Sequence, residues 1–128
     1  MYLFDMMKNL LIFSDPSDNF SLKMVDIINK SNLFKICIVI TTKNQKKNVY
    51  KLEKILSNQK SIIFCDGFPH KNKQILRLLG KKKIQLGIST GFSNLIRKKF
   101  LNQFKEGVIN IHPAFLPFNK GSHAAFWS

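Results

Sequence analysis

Lys35-Ile36-Cys37-Ile38-Val39-Ile40-Thr41-Thr42 reads as a β-strand with no polar face. A strand that is apolar throughout, rather than at alternate positions, has to be covered on both sides, and that points to a parallel sheet. The flanking segments repeat the theme. Upstream, Asn9-Leu10-Leu11-Ile12-Phe13 is a shorter apolar run that ends in the turn-forming Ser14-Asp15-Pro16-Ser17-Asp18. Between these two strands, Leu22, Met24, Val25 and Ile28 recur at helical spacing, with Ser21 as the N-cap. Downstream, Val49, Leu52, Ile55 and Leu56 outline a second helix, with Lys47, Lys51 and Lys54 on its wet side. Residues 61–65 read as a third strand, 71–79 as a third helix stopped by Gly80, and 84–89 as a fourth strand. Leu95, Ile96, Phe100, Leu101 and Phe104 then mark a fourth helix, and residues 107–111 a fifth strand. Strict strand–helix alternation through short loops predicts an α/β, doubly wound parallel sheet with right-handed crossovers. Ligands in that class sit at the carboxyl ends of the strands, which directs attention to residues 14–20, 41–48, 66–70, 89–94 and 110–128.

The chain has 128 residues, 45% of them hydrophobic, enough for one core and one domain. No apolar run approaches the roughly 18 residues a bilayer crossing needs, so no membrane partner is expected. No signal-peptide pattern opens the chain, and Cys37 and Cys65 lie in apolar runs as buried thiols; a cytoplasmic setting is expected. The net charge of +14 raises the question of nucleic acid. Of the 21 cationic side chains, however, only Arg77 and Arg97 carry the guanidinium fork that base and phosphate recognition favours. Abundant Asn, Ile, Lys and Phe together point to codon bias, so nucleic acid is not the expected partner.

Several motifs can be set aside. The turn after the first strand, Ser14-Asp15-Pro16-Ser17-Asp18-Asn19, has no glycine and two carboxylates, which disfavours a dinucleotide or a phosphate anchor there. Gly87-Ile88-Ser89-Thr90-Gly91 fits a nucleophile elbow, but Glu106 is the only acid after Ser89 and stands just before the fifth strand. A tight strand-to-helix turn explains those glycines more simply. Cys65, His70, His112 and His123 show no metal-ligand spacing, so no metal is expected, and His70 and His123 read as solvated-loop residues.

Asn110-Ile111-His112-Pro113-Ala114-Phe115-Leu116-Pro117 is the segment with chemistry in it. Residues two apart in a strand share a face, so Asn110 and His112 project together, and Pro113 ends the strand there. The plain alternative is a histidine bonded to a nearby carbonyl. A carboxamide beside an imidazole suits acyl transfer: the amide donates to a developing oxyanion and the imidazole moves a proton. No activated nucleophile accompanies them, so the attacker would be the substrate.

Residues 107–117 followed by Lys120-Gly121-Ser122 resemble the signature of the formyltetrahydrofolate-dependent formyltransferases, N-x-H-P-S-x-L-P followed by a basic residue and Gly. The likeness extends back through Gly91-Phe92-Ser93-Asn94-Leu95-Ile96 and covers nearly the whole chain. It implies a Rossmann-like N-terminal catalytic domain that moves a formyl group from N10-formyltetrahydrofolate to a substrate amine. Asn110 would hold the formyl oxygen, and His112 would steady the oxyanion and help protonate the departing folate nitrogen. Phe92, Ser93, Asn94, Leu95 and Ile96 would line the pterin pocket, largely through main chain.

The resemblance also shows a departure, because the family's third catalytic group, an Asp, lies well beyond the histidine and past Ser128. Residues 1–128 are therefore expected to be the front portion of a catalytic domain, incomplete at its C-terminus. Loss of positioned acid–base help slows such a fragment by about 10²–10⁴-fold. An edge exposed near Val108, Phe115 and Phe126 would favour aggregation or a homodimer. For the acceptor, the purine-pathway branch has a glycine-rich first loop that holds a phosphate, which Asp15-Pro16-Ser17-Asp18 replaces poorly. The initiator-tRNA branch is smaller and more alanine-rich where this chain has Ser122-His123-Ala124, and there a second, RNA-binding domain follows. The tail Asn119-Lys120-Gly121-Ser122-His123-Ala124-Ala125-Phe126-Trp127-Ser128 is most similar to the sugar N-formyltransferases. A small-molecule acceptor, an amino sugar on a nucleotide, is thus the expectation. The alternatives are a lysine-rich RNA-binding or regulatory α/β module without catalysis, and a hydrolase using Ser89.

Overall fold

A computed structural model describes residues 7–57, 62–94 and 96–111. The strands are β1 (Lys8–Ser14), β2 (Phe34–Thr42), β3 (Ile62–Cys65), β4 (Leu86–Thr90) and β5 (Val108–Ile111). The helices are α1 (Asn19–Lys30), α2 (Val49–Leu56), α3 (Lys73–Lys81) and α4 (Lys98–Leu101), with 3₁₀ turns at Lys43–Asn48 and Pro69–Lys71. All four strand pairings are parallel, and the order is β3-β2-β1-β4-β5. This is the doubly wound Rossmann-like sheet that the sequence predicts.

The two faces have separate cores. Leu11, Phe13, Ile38, Ile40 and Ile63 pack with Ile75 and Leu79 of α3 and with Phe100 and Phe104, whereas Leu10, Ile12, Val39 and Ile88 pack with Val25 and Ile28 of α1 and Leu52 and Leu56 of α2. Successive residues of β1 and β2 feed opposite cores except at Cys37 and Ile38, which both join the first core where the β1–β2 register shifts, and this two-sided burial is why the β2 sequence has no polar alternation. The chain leaves β1 toward one face and β4 toward the other, so the topological switch point lies between these two strands. Among the described residues no helix is long and apolar enough to cross a membrane.

Three local expectations need correction. Asp18, not Ser21, caps α1: its Oδ1 accepts from the Phe20 amide at 3.0 Å. Ser21 is instead buried within the first turn, donating to the Thr90 carbonyl oxygen at 2.5 Å. Because a hydroxyl has one proton, the 2.5 Å contact between Ser14 Oγ and Ser21 Oγ must be donated by Ser14. Helix α3 runs through Gly80 to Lys81. Its end is a Schellman-type closure, with Ile84 N bonded to Leu79 O and Lys83 N to Gly80 O, so Lys83 (φ 53°) takes the left-handed position assigned to glycine. Helix α4 is a single turn, since the chain bends repeatedly from Asn102 to Glu106 to bury Phe104 beside Phe100. The apolar spacing there reported burial, not regular helix.

Cys37 and Cys65 are free and buried. Burial raises both thiols above the ordinary range, offset in part at Cys37 by Lys35 and Lys82 and reinforced at Cys65 by Asp66. The folded state therefore holds these protons more tightly than the unfolded chain does. That contribution to stability is full below the unfolded thiol pKa and fades as pH rises through the folded value. Alkylation by iodoacetamide at pH 8 is expected to run at least about tenfold slower on the native protein than in denaturant. Equal rates would contradict this burial.

Candidate active site

The candidate site is built at the carboxyl ends of β1, β4 and β5. One row of paired residues crosses the sheet: Ile63, Ile40, Phe13, Ser89, Asn110. Directly paired residues of a parallel sheet share a face, so Asn110 stands on the same side as Phe13 and Val108. Along this row burial falls from a core phenylalanine to an exposed carboxamide. Among the described residues the Asn110 side chain has no hydrogen-bond partner, which leaves its amide protons available to a ligand.

The β4–α4 loop lies next to it. Gly91 has φ +63°, and a Cβ there would fall on the Asp18 carboxylate and within 2.9 Å of Ser21 Cβ. Glycine thus lets β4 turn sharply over the start of α1. Beyond it Phe92 turns inward, its ring 5.3 Å from that of Phe13, and Ile96 packs on the same core. Ser93 donates from its amide and its hydroxyl to Asp15 Oδ2, at 3.1 and 2.8 Å. The Asn94 side-chain amide donates to Gly67 O at 3.0 Å, tying this loop to the one after β3. The two large side chains described in this segment, Phe92 and Ile96, are thus turned into the core. Phe92, Ser93, Asn94 and Ile96 therefore form one loop beside the strand that carries Asn110. Leu95 and His112 lie outside the described residues.

One alternative falls away here and one reading is corrected. Ser89 is a β4 residue with Phe13 on one side and Asn110 on the other, so it is not the exposed apex of a nucleophile elbow. His70 is half-buried rather than solvated: its ring lies 5.5 Å from Phe68, and its Nδ1 is buried without a partner among the described residues. Among those residues no group of three His, Cys, Asp or Glu side chains could hold a metal ion.

Asp15 is the residue whose role sequence reading missed. It is 5% exposed. Its Oδ1 accepts from the Thr41 hydroxyl at 3.2 Å and from the Thr42 amide and hydroxyl at 3.4 and 3.3 Å. The Thr42 proton is shared with Asn44. With Ser93 on Oδ2, one carboxylate joins the ends of β1, β2 and β4. The available signal was the hydroxyl pair Thr41-Thr42 ending the neighbouring strand.

A parallel sheet of order 3-2-1-4-5, with a carboxamide that is unpaired among the described residues and the β4–α4 loop at the carboxyl edge beside its switch point, defines a doubly wound domain of the class that binds ligands at that edge. The sequence profile of the family described as Formyl transferase matches residues 7–128, and the chain belongs to that family. It is 30% identical over 121 residues to a methionyl-tRNA formyltransferase of Buchnera aphidicola, covering 91% of this chain and 38% of that protein. The chain thus spans well under half the length of this curated relative. Among solved structures it resembles glycinamide ribonucleotide transformylase 1 from Geobacillus kaustophilus, with a TM-score of 0.69 at 21% identity, covering 94% of this chain and 66% of that one. At that identity the likeness speaks for the fold. A 4-N formyltransferase from Francisella tularensis gives a TM-score of 0.63 at 25% identity over 91% of this chain and 42% of that one.

Proposed function

We propose that this chain supplies the front portion of a catalytic domain that transfers a formyl group from N10-formyltetrahydrofolate to a primary amine. Family membership and the exposed Asn110 carboxamide, unpaired among the described residues, carry this reading. The acceptor nitrogen attacks the formyl carbon, a C–N bond forms as the carbon's bond to the folate nitrogen breaks, and the proton lost by the amine is balanced by one gained at that nitrogen. Asn110 donates to the formyl oxygen while it bears negative charge. His112, two residues on, is the proposed proton carrier, and Phe92, Ser93, Asn94, Leu95 and Ile96 are the proposed pterin contacts.

For the acceptor we favour an amino sugar linked to a nucleotide. The 119–128 tail supports this, as does the likeness to a 4-N formyltransferase, whose name places the formyl group on a nitrogen numbered 4. A second reading, aminoacyl-tRNA, draws on the curated relative and on the +14 charge. The test supplies the full-length protein and formyltetrahydrofolate with either a nucleoside diphosphate amino sugar or methionyl-tRNA. Tetrahydrofolate release with the sugar alone supports the first reading, and salt-sensitive release with the tRNA alone replaces it. Release with neither, despite folate binding, excludes both acceptors.

A further inference from the structure

The crevice at the switch point between β1 and β4 is where a doubly wound sheet ordinarily receives a ligand, and here it is filled from within. Thr41 Oγ1, Thr42 N and Oγ1, and Ser93 N and Oγ converge on the two oxygens of Asp15. All of these donors are neutral, and among the described residues no lysine or arginine pairs with this carboxylate. Thr41 is wholly buried and Thr42 nearly so. A set of neutral N–H and O–H groups closing on one small oxyanion is the architecture of an anion-binding site.

We propose that Asp15 is a built-in anion: its carboxylate occupies an oxyanion cradle, closes it to phosphate or carboxylate groups of any ligand, and thereby sets the position of the β4–α4 loop. The inference does not depend on the formyl-transfer reading. It goes further than electrostatic repulsion by an acidic turn. Repulsion predicts that deleting the charge merely relaxes the turn, whereas a filled cradle predicts that deletion creates a site. Without Asp15 the buried Thr41 hydroxyl and Thr42 amide lose their acceptor, and an external anion that restores one should stabilise the fold.

The variant is Asp15→Gly, because glycine plus acetate reproduces the atoms of the aspartate side chain. Its Tm is expected to fall by roughly 10 °C. Sodium acetate or inorganic phosphate, compared with sodium chloride at equal ionic strength, should recover a large part of that loss and leave the wild type unmoved. Acetate and phosphate arms distinguish a carboxylate-sized cradle from one that admits phosphate. In amide NMR spectra the Ser93 and Thr42 signals of the variant should move back toward their wild-type positions as anion is added. A folded Asp15→Gly with no response beyond chloride overturns the proposal, as does a wild type whose Ser93 and Thr42 amides shift with added anion. Should Asp15→Gly fail to fold, Asp15→Asn keeps the shape but turns an amide group toward one set of donors. Large shifts at Ser93 or Thr42 are then expected, and unchanged signals overturn the proposal.

Discussion

On the proposed function, Asn110→Ala in the full-length protein is expected to lower kcat for formyl transfer by about 10²–10³-fold, the loss seen when one preorganised donor to an oxyanion is removed. The donor acts on charge that develops during reaction, so the loss belongs in kcat, with KM for the folate donor little changed. Stability should hardly respond. Asn110 is exposed on β5 and bonds nothing among the described residues, so its truncation belongs with surface substitutions, within about 0.5 kcal/mol. Asn110→Asp sharpens the test, since it keeps size and shape but replaces the donor with an acceptor. A loss at least as large as that of alanine is expected. Single-turnover assays and thermal melts on the three proteins decide the matter: rates within tenfold of wild type would remove Asn110 from the chemistry.

The residues that could be read from sequence were those whose environment is local. The β2 run announced burial on both faces because every residue from Ile36 to Ile40 is apolar, and the structure divides that run between two cores. The strand position of Asn110 was legible for the same reason, and the register with Ser89 then places it beside the β4–α4 loop; its part in the chemistry is a proposal. What could not be read were groups whose partners are distant in sequence. Asp15 meets donors at positions 41, 42 and 93, and nothing in Ser14-Asp15-Pro16-Ser17-Asp18 shows that its carboxylate is enclosed. Ser21 looked like a helix cap because serine before an apolar series commonly is one. Its hydroxyl goes instead to the Thr90 carbonyl, 69 residues away, and the cap passes to Asp18. Gly80 misled for a related reason, since the Schellman closure depends on how Ile84 re-enters the core and not on where a glycine stands.

Phe13→Ala should have the largest effect on stability, because that ring joins the core to the candidate site. It is fully buried in β1 and lies 5.3 Å from Phe92, 5.9 Å from Phe100 and 6.4 Å from Phe104, centroid to centroid. Deleting a buried phenyl ring costs about 3–5 kcal/mol, the transfer term plus the cavity that remains. In a domain of this size that is a fall in Tm of roughly 10–20 °C, a large share of the 5–15 kcal/mol that folded domains ordinarily possess. Leu33→Ala provides the contrast: Leu33 is 66% exposed, and its loss should move the midpoint by no more than a few degrees. The effect of Phe13→Ala should also be directional. Phe92 rests on this ring, so the β4–α4 loop loses its inward anchor while α1 and α2, on the opposite face, keep theirs. Native-state hydrogen exchange should then show the Ser93 amide opening far more readily than the amides of α1. Uniform loss of protection across both faces would mean that the ring supports the fold as a whole and does not hold the loop in particular. A change in Tm below about 3 °C would mean that the three aromatic neighbours close the gap without it.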